Sequence, residues 1–345
     1  MREQIHGGDI YRHTVETDFS VNSNPLGPPE AVAEAVRNSA MRIVRYPDVQ
    51  CERLCSAISD FEGVEASEIL CGNGAAELFF AAVLAVKPKK ALLPAPTFAE
   101  YENALRLTCP EIRYYELRAQ DGFAVQEDLL DLLDAGFDML FLCNPNNPTG
   151  VVMEKELLRR VLKKCKKHGT VLVLDECFLE FLEEPERYEM QTYRGDFPEL
   201  LVIKAFTKIF CMPGLRLGYA VSGNEPLLRK MASCMQPWNV SVPAQEAGVA
   251  ALADCAGYLR DTRVFVKKER ERLIWELARL GYETFASKAN YVFFKGQAGL
   301  YEKALQAGYL IRDCRNYRGL SQGYYRIAVR GRQENERLME WLRQL

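Results

Sequence analysis

The sequence predicts an α/β protein whose main part is a largely parallel β-sheet covered by helices on both faces. Short apolar runs such as "DMLFLC" and "TVLVLD" alternate with stretches of helical spacing, and strands that are buried on both sides read as continuous apolar runs. With 345 residues, 48% of them hydrophobic, the chain is long enough for about two domains. The pattern later changes to a long charged helical stretch and alternating strands, which indicates a smaller α+β domain.

The expected elements follow in a regular order. "KKALLPAP" and "DMLFLCNPNNPTG" each predict a strand that ends in a turn, and "EKELLRRVLKKCKKHG" predicts a helix that ends at Gly169. "TVLVLD" and "LLVIKAFTK" are the next strands. Beyond about Ser241, "LRDTRVFVKKERERLIWELARLG" predicts a long helix, and "NYVFFKG" and "YYRIAVR" predict strands. We divide the chain into an arm (1–40) that packs on the small domain, a large domain (41–240) and a small domain (241–345).

Composition and charge exclude several classes of protein. The net charge of −3 comes from intermixed acids and bases, which commits no face to nucleic acid or membrane. No segment has the long uncharged apolar run of a membrane span. The eleven cysteines contain no CxxC pair, so we interpret them as small buried hydrophobic residues in a reducing compartment. We therefore expect a soluble, cytosolic protein without a metal site.

Unusual polar residues stand where the apolar strands end. Asn147 lies in the turn cluster "NPNNPTG", Asp175 ends "TVLVLD", and Lys208 follows "LLVIKAFT". The carboxyl ends of parallel strands meet at one edge of a sheet, where ligands bind. The glycines of "GNGAAE" precede an apolar helix whose first backbone amides would form an anion site, and Arg216 offers a bidentate partner for the same phosphate.

Each of these residues has an ordinary explanation when it is taken alone. Lysines are common at surfaces, glycines often begin helices, and Asn-Pro pairs form turns. Together they supply a phosphate cup, a lysine amine, an acid that holds a ring nitrogen protonated, and an amide for a ring oxygen. That set describes a site for pyridoxal phosphate.

On these residues the chain resembles the fold-type I pyridoxal phosphate enzymes of the aminotransferase class I and II superfamily, along its whole length. The matching landmarks, in the family's order, are "NPLG", "RYPD", "GNGAAE", "PTF", "NPNNPTG", "DECF", "TK" and "GLRLGY". The resemblance implies a large cofactor-binding domain with a mostly parallel sheet of seven strands, a smaller α+β domain, and a homodimer.

The resemblance also implies roles for particular residues. Lys208 would hold the cofactor covalently and Asp175 would bind the ring nitrogen, which makes these two the candidate catalytic residues. Asn147 would contact the side of the ring that carries the hydroxyl, and Phe98 would stack on the ring. The phosphate would be held by Gly74, Ala75, Thr207 and Arg216, and by Tyr46 from the neighbouring subunit.

Two subgroups compete: histidinol-phosphate aminotransferases and the threonine-phosphate decarboxylases of cobalamin synthesis. The opening "HGGD", the stretch "IRDCRNYRGL" before "YYRIAVR", and Phe178 in place of the aminotransferases' usual tyrosine all resemble the decarboxylases. The implied reaction converts threonine phosphate, or serine phosphate, to aminopropanol or ethanolamine phosphate for the nucleotide loop of cobamides. A histidinol-phosphate-type aminotransferase remains the alternative. A catalytically silent binding module is a third possibility, against which the intact Lys208 weighs.

Substrate-binding residues follow from the same resemblance. His6 and Arg312 would bind the substrate phosphate, and Arg326 its carboxylate, with Asn24 and Asn147 nearby. The same region also offers Arg315, Arg318 and Arg330, so the sequence leaves open which guanidinium meets which anion.

Two positions depart from the family pattern. Ala205 stands where many relatives have a serine, and "GNGAAE" lacks a hydroxyl residue after its second glycine. Each lost hydrogen bond to a charged group weakens cofactor binding by roughly 1.5–3 kcal/mol.

Overall fold

The computed structural model describes residues 6–345, and its elements alternate as the sequence predicts. The strands are β1 (Thr17–Asp18), β2 (Ile69–Gly72), β3 (Lys90–Ala95), β4 (Glu111–Glu116), β5 (Met139–Cys143), β6 (Val171–Asp175), β7 (Leu200–Ala205), β8 (Gly218–Val221), β9 (Glu283–Thr284), β10 (Tyr291–Lys295), β11 (Tyr309–Leu310), β12 (Arg312–Asp313) and β13 (Tyr324–Ala328). The α-helices are α1 (Glu30–Ser39), α2 (Glu52–Glu62), α3 (Ala75–Val86), α4 (Ala99–Leu105), α5 (Asp128–Leu133), α6 (Lys155–His168), α7 (Phe206–Ile209), α8 (Glu225–Ser233), α9 (Val242–Ala253), α10 (Ala256–Arg279), α11 (Leu300–Gln306) and α12 (Arg332–Leu342).

A seven-stranded sheet forms the larger part of the molecule. Its strand order is β2-β8-β7-β6-β5-β3-β4, and the neighbours from β7 to β4 pair in parallel. Strand β8 runs antiparallel to both β7 and β2. The prediction of a mostly parallel sheet is confirmed, and its central strands are covered on both faces, since every residue of β5 and β7 is buried.

Helix α6 shows how local sequence fixes one covering element. Its buried residues recur at helical spacing, which places them on one face. The helix ends at Gly169, whose φ of 68° lies in the left-handed region that glycine adopts without steric cost. The basic residues of the last turn suit the negative end of the helix dipole. The sequence therefore predicts both the face and the end of this helix.

A second, antiparallel sheet has the order β12-β13-β10-β9. Arg312 of β12 pairs directly with Arg326 of β13. The long helix α10 begins three residues before the predicted stretch and packs against α12 and β10. The N-terminal segment pairs its strand β1 with β11. The domain limits at 40 and 240 stay predictions, and residues 1–5 of the predicted arm lie outside the described residues.

No helix among residues 6–345 is both long and apolar enough to cross a lipid bilayer.

Candidate active site

The candidate active site is a cavity of about 290 Å³ at the carboxyl ends of the central parallel strands. Asp175 closes β6, and Lys208 follows β7, so two neighbouring strands deliver them to the same edge. Residues of the N-terminal segment and of the second sheet complete the wall. Ten predicted site residues line this cavity: His6, Ala75, Phe98, Asn147, Asp175, Thr207, Lys208, Arg216, Arg312 and Arg326.

Lys208 presents an amine that is unusually easy to deprotonate. Burial is the main cause that lowers the pKa of Lys208 to about 8, and the positive charges of Arg326 and Arg216 act in the same direction. A neutral amine is the form that attacks a carbonyl carbon. Lys204, four residues earlier, instead forms ion pairs with Glu62 and Glu189 in a separate buried cluster. Of these two lysines, only Lys208 reaches the cavity.

Asp175 is held at both of its carboxylate oxygens. The Tyr101 hydroxyl donates to Oδ2, and the Cys177 backbone N–H donates to Oδ1 at 2.8 Å. Burial raises the pKa of Asp175, while hydrogen bonds from Cys177 and Tyr101 act against that rise. A carboxylate that is 4% exposed needs a cationic or protonated partner. The fixed carboxylate is therefore suited to a protonated ring nitrogen.

A cradle for a phosphate lies at the start of α3. Gly74 precedes the helix with a φ of 80°, and a Cβ at this position would lie 2.6 Å from Nη2 of Arg216. Only glycine allows the guanidinium to come so close to the backbone amides of the helix N-terminus. Ala75 and Thr207 line the cavity beside it. The Thr207 hydroxyl is 3.5 Å from the Leu217 carbonyl oxygen, to which it donates.

Arg326 is a buried cation that has no carboxylate partner among the described residues. It is 5% exposed and forms no ion pair with any of the residues 6–345 that the structure describes. Its Nη1 donates to Oδ1 of Asn147 at 2.5 Å and its Nη2 donates to the Ser20 carbonyl at 2.7 Å. Its Nε has no hydrogen-bond partner among those residues. This guanidinium is therefore placed to receive an anion from a ligand.

The N-terminal segment closes one side of the cavity. His6 Nε2 lies 2.7 Å from Oε1 of Glu100, and the two rings of His6 and Phe98 have centroids 5.6 Å apart. The Gly8 N–H donates to Oγ of Ser20 at 2.7 Å. The segment thus bridges helix α4 on one side and the region after β1 on the other, and it brings His6 to the same cavity as Arg312.

Two predicted residues lie away from this cavity. Tyr46 is 78% exposed and stacks on Trp238 with ring centroids 4.5 Å apart. The Asn24 side chain is buried, and its amide donates to the Ile209 carbonyl and to Oγ1 of Thr262. In this structure Asn24 contacts Lys208 only through a backbone hydrogen bond to the lysine carbonyl. Those bonds direct the amide into the protein interior, and its predicted place beside a substrate stays a prediction.

Other residues line the site or support it and were not singled out from the sequence. Tyr101 lies three residues after Phe98 in "FAEYENAL", a spacing that puts both on one helix face. Tyr317 belongs to the distinctive stretch "IRDCRNYRGL" and lines the cavity. Asn22 also lines the cavity, and its buried Oδ1 has no hydrogen-bond partner among the described residues. Asn22, rather than Asn24, is therefore part of the cavity wall.

Ala205 and Phe178, which stand where many relatives have a hydroxyl residue, both face the cavity. Ala205 and Phe178 are among its lining residues, so neither offers a hydroxyl to a ligand there. The Phe178 ring packs edge-on against Tyr291 with centroids 5.1 Å apart. This apolar contact accounts for a ring at position 178 without a hydroxyl.

Comparisons with known proteins agree with this geometry. The family model for aminotransferase class I and II matches residues 14–342. The threonine-phosphate decarboxylase of Salmonella typhimurium is 38% identical over 330 residues, which cover 94% of this chain and 90% of that protein. The histidinol-phosphate aminotransferase of Clostridium acetobutylicum has a TM-score of 0.88 at 30% identity, covering 95% of this chain and 98% of that one. The Sinorhizobium meliloti enzyme of the same name, in complex with pyridoxal-5'-phosphate, has a TM-score of 0.85 at 22% identity, covering 97% and 92%.

Proposed function

Because this chain belongs to the aminotransferase class I and II family, we propose that it is a pyridoxal phosphate enzyme that decarboxylates an amino acid phosphate. The substrate is threonine phosphate or serine phosphate, and the product is aminopropanol phosphate or ethanolamine phosphate for the nucleotide loop of cobamides. The 38% identity to a threonine-phosphate decarboxylase over nearly the whole chain favours this reaction over histidinol-phosphate transamination. A cytosolic location is part of the same proposal.

The residues of the cavity fit pyridoxal phosphate. The absence of a Cβ at Gly74 leaves room for Arg216 beside the first amides of α3, which suits a phosphate. Asp175, held by two hydrogen bonds, suits the ring nitrogen, and Phe98 offers a ring for stacking. Lys208 would hold the group covalently. When bound, the cofactor supplies an electron sink for the bond that breaks at the substrate's Cα.

One observation carries the choice of substrate class. Arg312 and Arg326 are directly paired residues of β12 and β13, and both line the cavity that Lys208 and Asp175 share. Opposite residues of an antiparallel pair lie on the same face of the sheet. Two arginines that line one cavity from the same face of a sheet suit a substrate that carries two anions. A phosphorylated amino acid has both a phosphate and a carboxylate, whereas histidinol phosphate has no carboxylate.

The chain's own residues then decide which bond reacts. Arg326 and Asn147 hold the carboxylate, while His6 and Arg312 hold the phosphate. Anchoring both ends orients the Cα–carboxylate bond for cleavage in place of the Cα–H bond, which is catalysis by positioning. Because its pKa is lowered to about 8, the Lys208 amine accepts and donates a proton near neutral pH. We assign it the delivery of the proton that replaces the lost carboxylate at Cα.

We also propose that the protein works as a homodimer. Met41, Ile43, Val44 and Tyr46 are each at least 68% exposed, and Trp238 is 47% exposed. A contiguous apolar surface of this kind marks a protein interface, and closed two-fold symmetry is the commonest arrangement of identical subunits. The occupant we infer is a second copy of this chain. In that dimer Tyr46 would reach the phosphate in its partner's cavity.

Product analysis tests the proposed reaction. The holoenzyme is incubated separately with threonine phosphate and serine phosphate, and released carbon dioxide and the phosphorylated amine are measured. We expect stoichiometric amounts of both products from at least one of the two substrates. Formation of a keto acid instead, with 2-oxoglutarate required for turnover, would assign the aminotransferase reaction.

A further inference from the structure

We propose, building on the function proposed above, that Tyr317 is a further substrate-contacting residue and that Arg318 positions it by clamping its loop to helix α4 through Glu102. The loop 314–320 is part of the connection 314–323 between β12 and β13 of the smaller sheet, whereas α4 follows β3 of the larger sheet. The clamp therefore connects the two parts of the molecule next to Tyr317, which lines the cavity. It gives a role to the part of "IRDCRNYRGL" that lies beyond Arg312.

Tyr317 lies between the two groups that are proposed to bind anions. Its hydroxyl is 3.4 Å from Oδ1 of Asn147, the same oxygen that accepts a hydrogen bond from Arg326. Its ring lies beneath the guanidinium of Arg312, whose Cζ is 5.1 Å from the ring centroid. A substrate bound by both Arg312 and Arg326 would lie next to the Tyr317 side chain. The hydroxyl is placed to donate to a carboxylate or phosphate oxygen, as phenols do at polar ends of binding sites.

Arg318 does not line the cavity; its side chain instead attaches the loop to helix α4 and strand β4. Its Nη2 donates to Oε1 of Glu102 at 2.8 Å and its Nε donates to Oε2 at 3.2 Å, so the contact is bidentate. The guanidinium also stacks on the ring of Tyr114, with Cζ 4.0 Å from the centroid. Bidentate and stacked contacts require the planar fork of arginine. The ion pair with Glu102 and the stacking on Tyr114 together hold the loop against α4 and β4.

The surroundings of Glu102 support a persistent clamp. Burial by itself raises the pKa of Glu102, but hydrogen bonds from Arg318, Arg106 and Tyr114 outweigh it and lower the pKa to about 2. The carboxylate therefore stays ionised throughout the neutral range. Its side chain is only 17% exposed, although that of Arg318 is 47% exposed.

The loop next to Arg318 is shaped to lie against the large sheet. Gly319 has a φ of 81°, a left-handed conformation that favours glycine, and a Cβ there would lie 3.6 Å from the Ala95 carbonyl oxygen at the end of β3. The Leu320 N–H donates to the Tyr317 carbonyl at 3.1 Å, which closes a turn around Arg318. With the turn and the ion pair both formed, the Tyr317 side chain has a defined position.

Arg106 provides a matched control for Arg318. It donates to Oε1 of the same Glu102, at 2.6 and 3.0 Å, but it directly follows the last residue of α4 and forms no hydrogen bond or ion pair with the loop. Arg106→Ala therefore removes one charge partner of Glu102 and leaves the loop attached. Arg318→Ala removes the clamp, and Tyr317→Phe removes only the hydroxyl while keeping the ring under Arg312.

The test compares these variants as holoenzymes with threonine phosphate, and measures kcat, KM and the number of turnovers before the cofactor converts to its amine form. We expect Tyr317→Phe to raise KM about 10- to 100-fold, the factor for one lost hydrogen bond to a charged group. Arg318→Ala should produce a similar change, earlier conversion to the amine form, and faster hydrogen exchange in residues 314–320. Arg106→Ala should match the wild type in kcat and KM within about twofold. The double variant Tyr317→Phe with Arg318→Ala should show no larger change in KM than the more impaired of the two single variants.

Different results separate the two proposals. If the wild type releases carbon dioxide but Tyr317→Phe leaves KM and kcat unchanged, the substrate contact is wrong. If the effects of Tyr317→Phe and Arg318→Ala add fully, Arg318 does not act through the loop. A wild type that releases no carbon dioxide refutes the proposed reaction instead. Equilibrium dialysis of radiolabelled threonine phosphate against wild type and Tyr317→Phe then decides the contact, since equal affinities overturn it.

Discussion

Replacing Lys204 by methionine separates a structural lysine from the proposed catalytic one. Lys204 and Lys208 are four residues apart, but Lys204 is 3% exposed and its Nζ lies 2.9 and 3.0 Å from the carboxylate oxygens of Glu62. Glu189 and Glu180 lie 3.2 and 3.6 Å from the same Nζ. The amine is thus the cation of a buried acidic cluster. Methionine keeps most of the side-chain volume and removes the charge.

The expected loss of stability is large. Removing one partner of a buried ion pair costs about 3–5 kcal/mol, because the remaining charge is left uncompensated. At a slope of roughly 3 kcal/mol per molar urea, the unfolding midpoint falls by about 1 M or more. Burial already raises the pKa of Glu62 against the opposing effect of Lys204. A raised acid pKa in the folded state means that stability falls as pH rises above the unfolded value. The difference between variant and wild type should therefore be larger at pH 8 than at pH 5.

Urea unfolding of Lys204→Met, with the exposed Lys303→Met as control, measures this loss. In parallel, borohydride reduction followed by peptide mapping shows which lysine carries the cofactor. We expect Lys204→Met to be destabilised yet labelled at Lys208, as in the wild type, and Lys303→Met to behave as wild type in both assays. A Lys204→Met protein of unchanged stability, or one that has lost the label, would refute the assignment of the two lysines.

Three further predictions concern the cofactor and the substrate. Because the neutral amine reacts, the rate at which the apoprotein binds pyridoxal phosphate covalently should rise with pH, with a midpoint at about pH 8. Arg326→Gln removes a positive charge near Lys208 and should move this midpoint upward. A midpoint near the ordinary lysine pKa in the wild type would contradict the prediction. Tyr46→Phe should lose cofactor faster on dialysis with unchanged thermal unfolding, and a fully active monomer in sedimentation would argue against the shared site. Arg312→Ala should weaken threonine phosphate binding by about 2–5 kcal/mol, measured through KM, with little change in cofactor affinity. If substrate affinity and cofactor affinity fall equally, the variant has a general structural defect.

Much of the fold was predictable because the pattern that specifies it is local. The strands β5, β6 and β7 are buried on both faces and appear in the sequence as unbroken apolar runs. The parallel arrangement then brings Asp175 and Lys208 to one edge, as any sheet of that type would. The resemblance added the roles of residues whose position depends on distant parts of the chain, such as Phe98 and Arg326.

What could not be predicted depends on contacts between segments far apart in the sequence. Nothing in "FSVNSNPLG" distinguishes Asn22, which faces the cavity, from Asn24, whose amide bonds Thr262 over 200 residues away. The partner of Asp175, Tyr101, is likewise 74 residues distant. Such pairings arise from tertiary packing, and a single sequence carries no period or spacing that reveals them.

The state of the cofactor during turnover tests the central claim most directly. The absorbance of the holoenzyme is followed with threonine phosphate while released carbon dioxide is measured, and histidinol phosphate serves as the comparison substrate. We predict that the aldehyde form of the cofactor persists through many turnovers as carbon dioxide accumulates, and that histidinol phosphate produces little change. Stoichiometric conversion to the amine form without carbon dioxide, reversed by 2-oxoglutarate, would show an aminotransferase and contradict the account.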